Sequence, residues 1–131
     1  VPGMVKRNSG HIINIGSVAG DAAYANGNVY CATKAAVKTL SDGLRLDVAH
    51  TAVRVTNLKP GLVETNFSNT RFHGDQERAA TVYKGIEPLT GDDIADVAVY
   101  AANAPEHVQI AEVLILATHQ GSGSMIVRNE A

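Results

Sequence analysis

Apolar residues in the first half of the chain follow two strand-like patterns that flank a helical one. Residues 11–15 form a short Ile-rich run, and residues 53–58 alternate before Pro60-Gly61. Between them, apolar residues recur at helical spacing, at Val29, Ala32, Ala36, Val37, Leu40 and Leu44. Because a crossover between neighbouring parallel strands is right-handed in about 98% of cases, this order predicts a right-handed βαβ unit.

The second half of the chain predicts a polar loop, a helix and a third strand. Residues 64–88 are polar and form a surface loop or lid, in which 76–84 could be a short helix. Thr90 and Asp93 have capping-box spacing and start a helix that ends before Pro105. Residues 112–117 read as a strand and 118–131 as a tail. We therefore predict one α/β domain over 1–131, with three parallel strands and flanking helices.

Three polar side chains are placed at the carboxyl edge of this predicted sheet, where open α/β sheets bind ligands. Ser17 follows the first strand, and Tyr30 and Lys34 lie one helical turn apart on the same face. An ammonium beside a phenol stabilises the phenolate, which makes Tyr30 a candidate general acid and base. Ser17 could hold a substrate oxygen against it. The trio suits interconversion of a carbonyl and an alcohol; taken alone, a Tyr-Lys pair at this spacing is more often a solvated helix face.

Composition narrows the class of protein. The 131 residues carry a net charge of −2 with dispersed Lys and Arg, which gives no support to a nucleic-acid or anionic-membrane partner. The single Cys31, read as a packing residue, forms no internal disulfide, and no apolar run reaches the roughly 20 residues of a membrane span. The five His lack metal-ligand spacing. We expect a cytoplasmic protein whose opening residues resemble the tail of a helix and carry no targeting leader.

These motifs resemble those of the short-chain dehydrogenase/reductase family. The resemblance is carried by Ser17, by Tyr30-x-x-x-Lys34 and by residues 60–65. Residues 11–17 and 67–72 look closest to the branch of NADP-dependent 3-hydroxy acid (serine and allothreonine) dehydrogenases. The resemblance runs almost from Val1 to Ala131 and implies the carboxyl-terminal half of a Rossmann-type sheet.

The resemblance also implies a role for each site residue. Ser17 would orient the substrate oxygen, Tyr30 would transfer the proton, and Lys34 would lower the pKa of Tyr30 and bind the nicotinamide ribose. The cofactor would be NADP, with NAD not excluded. Besides Tyr30 and Lys34, the residues expected to line the nicotinamide are Pro60, Gly61, Leu62, Val63 and Thr65.

Substrate and assembly follow from the same resemblance. A small hydroxy acid needs a cation for its carboxylate, which Arg71 could supply, although a solvated loop Arg is at least as good an interpretation. Family members commonly form homotetramers, and Ala35-Ala36 and the strand near 113–116 fit the interfaces, as they also fit a protein core.

One departure from the family pattern leaves two functions open. The sequence lacks the Gly-rich phosphate loop between a strand and a helix, so the adenine half of the cofactor site is expected outside it. The first hypothesis is an oxidoreductase that moves a hydride between NADP and a small hydroxy acid or alcohol. The alternative is a catalytically inactive fragment or oligomerisation module.

Overall fold

A parallel three-stranded sheet forms the centre of the structure. The computed structural model describes residues 1–71 and 74–129. The strands are β1 (Gly10–Ile15), β2 (Val53–Pro60) and β3 (Glu112–Ile115), and they lie in the order β1-β2-β3. Both strand pairs are parallel. The predicted α/β class and parallel sheet are confirmed.

Within residues 1–71 and 74–129, five helices and one 3₁₀ turn flank or connect these strands. Helix α5 (Gly91–Ala102) begins where the sequence predicts, because Thr90 and Asp93 form the expected capping box. The short helix α3 was not predicted; the Thr65 hydroxyl accepts a hydrogen bond from the Phe67 amide at its start. The helices are α1 (Pro2–Arg7), α2 (Asn28–Asp47), α3 (Phe67–Arg71), α4 (Gln76–Tyr83) and α5 (Gly91–Ala102), with the 3₁₀ turn at Val18–Gly20.

Strand β2 continues through Pro60, two residues beyond its predicted end. Successive residues of a parallel strand bond alternately to the two neighbours. Leu58 faces β1 and accepts from the Gly16 amide, whereas the Gly61 amide donates to Ile115 on β3. Pro60 therefore faces β1 at a point where the paired part of β1 has already ended at Ile15. Its missing N–H removes no ladder hydrogen bond there.

The face of α2 that packs on the sheet differs from the predicted one. Cys31 and Ser41 are buried in α2, while Val29 is 73% exposed and Leu40 65% exposed. Ser41 accepts a hydrogen bond from the Asn14 side chain of β1 at 2.9 Å, which turns this face toward the sheet. The helical period was predicted correctly. Four of the apolar positions that show this period, Val29, Ala32, Ala36 and Leu40, are exposed.

The apolar core lies between β2 and the ends of α1 and α2. Val48, Val53 and Val55 are buried together, and Met4, Val5 and Leu44 pack around them. Burial of such side chains contributes about 1.5–3 kcal/mol each. This part of the core lies at the end of the sheet opposite Ser17, whereas Val18, Ala19 and Leu58 are buried close to Ser17. No helix within the described ranges is long and apolar enough to cross a membrane.

Burial of His11 on β1 makes the stability of the fold depend on pH. Its Nε2 lies 2.7 Å from the Thr56 hydroxyl, and Arg54 is its register partner on β2. Desolvation, with a smaller effect from the Arg54 charge, lowers the pKa of His11 below its ordinary value of 6.5. A histidine whose pKa is lowered by folding stabilises the folded state in its neutral form. This contribution to the free energy of unfolding is fully present above pH 6.5 and is lost as the pH falls through the folded-state pKa.

We therefore expect urea unfolding to show a smaller free energy of unfolding at pH 5.5 than at pH 7.5. The difference between the two pH values should shrink in His11→Gln, because Gln keeps a hydrogen-bonding group for Thr56 but does not titrate. His50→Gln, at an exposed position, is the control and should retain the wild-type difference. An unchanged pH dependence in His11→Gln would contradict this account.

Candidate active site

Ser17 is fixed at the carboxyl end of β1. Its side-chain oxygen accepts a hydrogen bond from the Ala19 amide at 3.0 Å and lies 3.5 Å from the Pro60 carbonyl, to which its hydroxyl donates. The residue before it must be small, since a Cβ on Gly16 would lie 2.5 Å from the Asn57 side-chain oxygen. The buried Ser17 hydroxyl is thereby held between the ends of two neighbouring strands.

Tyr30 and Lys34 lie on one face of the first turns of α2. The Lys34 ammonium donates to the Ile15 carbonyl at 3.1 Å and lies 5.8 Å from the centroid of the Tyr30 ring. On another side, the Tyr30 ring packs on Phe67 of α3, with 5.5 Å between the ring centroids. The arrangement places the Lys34 ammonium over the Tyr30 ring.

The segment that follows β2, residues 61–65, forms a further wall. Leu89 pairs alongside Val63, accepting from the Glu64 amide at 2.7 Å and donating to the Leu62 carbonyl at 2.9 Å. In such a parallel bridge the N–H and C=O of Val63 itself point away from Leu89. The Val63 carbonyl accepts a hydrogen bond from the Tyr83 hydroxyl at 3.1 Å. The polar backbone groups of Val63 are thus directed away from the Leu89 strand segment.

One cavity of about 580 Å³ brings most of the predicted site residues together. The Arg71 side chain lies outside the part of the chain that the structure describes. The side chains at the cavity have the chemistry for proton transfer, and its wall is otherwise largely apolar. The predicted residues that line it are Ser17, Tyr30, Lys34, Pro60, Gly61, Leu62, Val63 and Thr65.

A buried ion network lies directly beside this cavity. Lys59, which is 5% exposed, donates to both carboxylate oxygens of Asp21 at 2.9 Å and to Glu112 at 2.7 Å. Burial by itself lowers the pKa of Lys59, but the hydrogen bonds and charges of the two carboxylates outweigh it and raise the pKa. Asp21 ends the 3₁₀ turn that Ser17 begins. Lys59 therefore ties the Ser17 turn to β2 and β3.

Within the described ranges, no three His, Cys, Asp or Glu side chains come together in a group that could hold a metal ion. The polar side chains that line the cavity include hydroxyl, phenol and ammonium groups. These groups can polarise an oxygen and move a proton.

Comparison with known proteins identifies the family. The sequence profile of the short chain dehydrogenase family matches residues 1–76, more than half of the chain. This chain belongs to the short-chain dehydrogenase family. The fold and the predicted resemblance are confirmed, including the Rossmann-type character of the sheet.

Individual relatives and a solved structure are similar over nearly the whole chain. An NADP-dependent 3-hydroxy acid dehydrogenase of Schizosaccharomyces pombe is 44% identical over 131 residues, which are 100% of this chain and 51% of the relative. One of Salmonella typhi is 49% identical over 97% of this chain and 52% of its own length. The closed form of a serine dehydrogenase complexed with NADP+ is 46% identical, with a TM-score of 0.91, over 99% of this chain and 53% of that one. The chain thus spans about half the length of these relatives.

Several residues at the cavity of this short-chain dehydrogenase were not singled out from the sequence. Phe67 and Tyr83 come from the region predicted as a polar loop, and Gln120, Gly123 and Ile126 come from the predicted tail. The tail residues are held in place: the Val127 amide donates to the His119 carbonyl, and the Asn129 amide donates to Gly85. The sequence shows no hydrophobic periodicity in this segment, because the hydrogen bonds that hold it are mostly to backbone atoms.

Proposed function

We propose that the protein containing this sequence is an NADP-dependent oxidoreductase that moves a hydride between the nicotinamide and a small hydroxy acid or related alcohol. The observation that carries the proposal is the convergence of Ser17, Tyr30 and Lys34 on one cavity with the segment 61–65. The names of the relatives, which specify NADP, 3-hydroxy acids and serine, support the same cofactor and substrate class.

The residues around the cavity fit a nicotinamide riboside. The apolar wall suits a flat ring, and the N–H of Val63, directed away from Leu89, could hydrogen-bond a carboxamide. Lys34 would hold the ribose hydroxyls. When bound, NADP supplies the hydride acceptor or donor. The other residues assigned to its binding are Tyr30, Pro60, Gly61, Leu62 and Thr65.

The side chains of the chain itself account for the proton transfer. The Ser17 hydroxyl, whose bond to Pro60 is long at 3.5 Å, can turn to donate to a substrate oxygen while the Ala19 amide keeps its oxygen in place. Tyr30 donates its hydroxyl proton to that oxygen during reduction and removes it during oxidation. The Lys34 ammonium favours the phenolate that is left behind.

Substrate binding requires a partner for the carboxylate of the hydroxy acid. Arg71 closes α3 directly after the segment that carries Phe67 and Ser68, both of which line the cavity. We assign it this role because a guanidinium can bind a carboxylate through two parallel hydrogen bonds. We further infer that the protein is a homotetramer and that it is located in the cytoplasm. A cytoplasmic location suits the free thiol of Cys31.

The alternative function, an inactive association module, is favoured by apolar surface on α2. Val29 and Leu40 are more than half exposed on one side of this helix. Strand β1 forms one edge of the described sheet. Surfaces of this kind commonly bind another copy of the same chain. The two functions differ in whether the chain binds the cofactor.

Titration with NADPH, followed by nicotinamide fluorescence, tests the first function. We expect saturable binding, weakened roughly tenfold or more in Lys34→Met because a hydrogen bond from a charged group contributes about 1.5–3 kcal/mol. Lys38→Met is the matched control on the same helix, because Lys38 pairs with Asp42 and does not line the cavity. It should bind NADPH as the wild type does.

The outcomes separate the two functions. Absence of saturable NADPH binding, together with self-association in light scattering that Leu40→Lys abolishes, would favour the association module. Equal affinity of Lys34→Met and Lys38→Met would contradict the role given to Lys34.

A further inference from the structure

The side chain of Gln120 bridges two backbone segments at the cavity wall. It is 7% exposed, its Oε1 accepts a hydrogen bond from the Leu62 amide at 2.8 Å, and its Nε2 donates to the Ser122 carbonyl at 3.0 Å. Both ends of the amide are used, so neither a carboxylate nor an apolar side chain can replace it without loss of a hydrogen bond.

The segment that carries Gln120 is itself held in a defined turn. Gln120 pairs with Ile126 in an antiparallel bridge, and the Gly121 amide donates to the Met125 carbonyl at 2.9 Å. The Arg128 guanidinium donates to the Val82 carbonyl at 3.0 Å and also to the Lys84 carbonyl. Gln120 is therefore presented from a structured turn that is anchored on α4.

Leu62, the residue that Gln120 contacts, lies in the middle of the proposed nicotinamide wall. On one side of it the Gly61 amide donates to Ile115 of β3. On the other side, Val63 is bonded through its carbonyl to Tyr83. The Leu62 amide is beyond the end of the regular β2 to β3 pairing, and Gln120 supplies the acceptor that the sheet no longer provides.

The approach between Gln120 and this wall is close enough to dictate the neighbouring residue. A Cβ on Gly61 would lie 2.2 Å from Gln120 Oε1 and 2.8 Å from a methyl group of Leu116. Any side chain at position 61 would therefore displace the Gln120 amide. Gly61 and Gln120 form a fitted pair, in which the glycine gives the amide access to Leu62.

We propose that Gln120 is a positioning residue for the nicotinamide. Its amide fixes the backbone of residues 61–63, so that the N–H of Val63 faces the carboxamide of the cofactor. The segment 118–129 thereby completes the cofactor site from the far end of the chain. The inference rests on the proposed function and assigns a residue that touches the wall of the site rather than the reacting atoms.

The test compares Gln120→Met with Gln109→Met in the protein that contains this sequence. Gln109 makes a closely similar bond, since its Oε1 accepts from the Val55 amide at 2.9 Å, but it lies near the other end of β2 and does not line the cavity. Met keeps the length of Gln and removes both hydrogen-bonding groups. The two variants therefore each lose a similar bond to a backbone amide, at different distances from the site.

We expect Gln120→Met to weaken NADPH binding by roughly fivefold to tenfold, as loss of one such hydrogen bond predicts. The KM for NADPH should rise by a similar factor, and the KM for the hydroxy acid should change less. Gln109→Met should bind NADPH like the wild type. If Gln120, like Gln109, contributed to stability alone, both variants would have a lower melting temperature and an unchanged affinity for NADPH. That result would overturn the inference.

Hydrogen exchange of the Leu62 amide in the protein without cofactor gives a second readout. It should be at least about tenfold faster in Gln120→Met, because the amide loses its acceptor, and unchanged in Gln109→Met. Unchanged exchange in Gln120→Met would overturn the positioning role. If the wild type fails to bind NADPH, the proposed function fails, and the cofactor part of this inference fails with it. If the wild type binds NADPH but Gln120→Met and Gln109→Met bind it with equal affinity, the inference alone fails.

Discussion

Replacing Tyr30 by Phe is expected to reduce kcat by at least about a thousandfold, the upper part of the range for loss of a general acid and base. The ring that packs on Phe67 is retained, so the local structure should persist. The affinity for NADPH should change by about twofold or less, since Phe keeps the ring that lines the cavity and Lys34 still holds the ribose. The measurement is NADPH oxidation with a small 3-oxo acid, in parallel with a fluorescence titration.

Tyr100→Phe provides the control for this substitution. Tyr100 lies on α5, is 71% exposed and does not line the cavity. Its replacement should leave both kcat and NADPH affinity at wild-type values. Near-normal turnover in Tyr30→Phe would reject the assignment of Tyr30 as the proton-transfer residue, even if the cofactor still bound.

Replacing Lys59 by Met should destabilise the fold by about 2–3 kcal/mol, less than the 3–5 kcal/mol typical of a broken buried ion pair. The expected destabilisation is smaller because the two carboxylates can be hydrated once the ammonium is removed. The side chain of Asp21 is 35% exposed and that of Glu112 is 32% exposed. Urea unfolding at neutral pH measures the change. Since the pKa of Lys59 is raised, this stabilisation is complete below its ordinary value of 10.5 and is lost only as the pH rises further.

Lys38→Met is the matched control for Lys59→Met. Lys38 also pairs with a carboxylate, at 2.8 Å from Asp42, but both side chains are about two-fifths exposed. Exposed pairs of this kind contribute little to stability, so no measurable loss is expected. Equal destabilisation by the two substitutions would contradict the importance given to burial of Lys59.

The position of Lys59 links stability to the site. It precedes Pro60, whose carbonyl accepts from Ser17, and it binds Asp21 at the other end of the Ser17 turn. Loss of the ammonium would release one end of that turn. A fall in turnover that accompanies the loss of stability in Lys59→Met is therefore expected even though Lys59 touches no proposed substrate atom.

Local patterns in the sequence determined the elements and the edge at which the chemistry is placed. Short β-branched runs and a long helical period were enough to predict the βαβ unit, and Thr90 with Asp93 was enough to start α5. Because parallel strands align their carboxyl ends, the order of elements along the chain was enough to assign Ser17 and Pro60-Gly61 to one edge. The Tyr30 and Lys34 pair needed only helical spacing.

The tertiary structure alone decided which faces and which distant residues meet at that edge. The period of α2 does not say which apolar stripe is buried, and a polar contact between Ser41 and Asn14 turned Val29 and Leu40 outward. Gln120 could not be predicted either, because its contact is with the Leu62 backbone, 58 residues away, and a backbone amide has no sequence signature. Hydrophobic spacing reports local geometry, whereas contacts between side chains and distant backbone are defined only when the whole chain has folded.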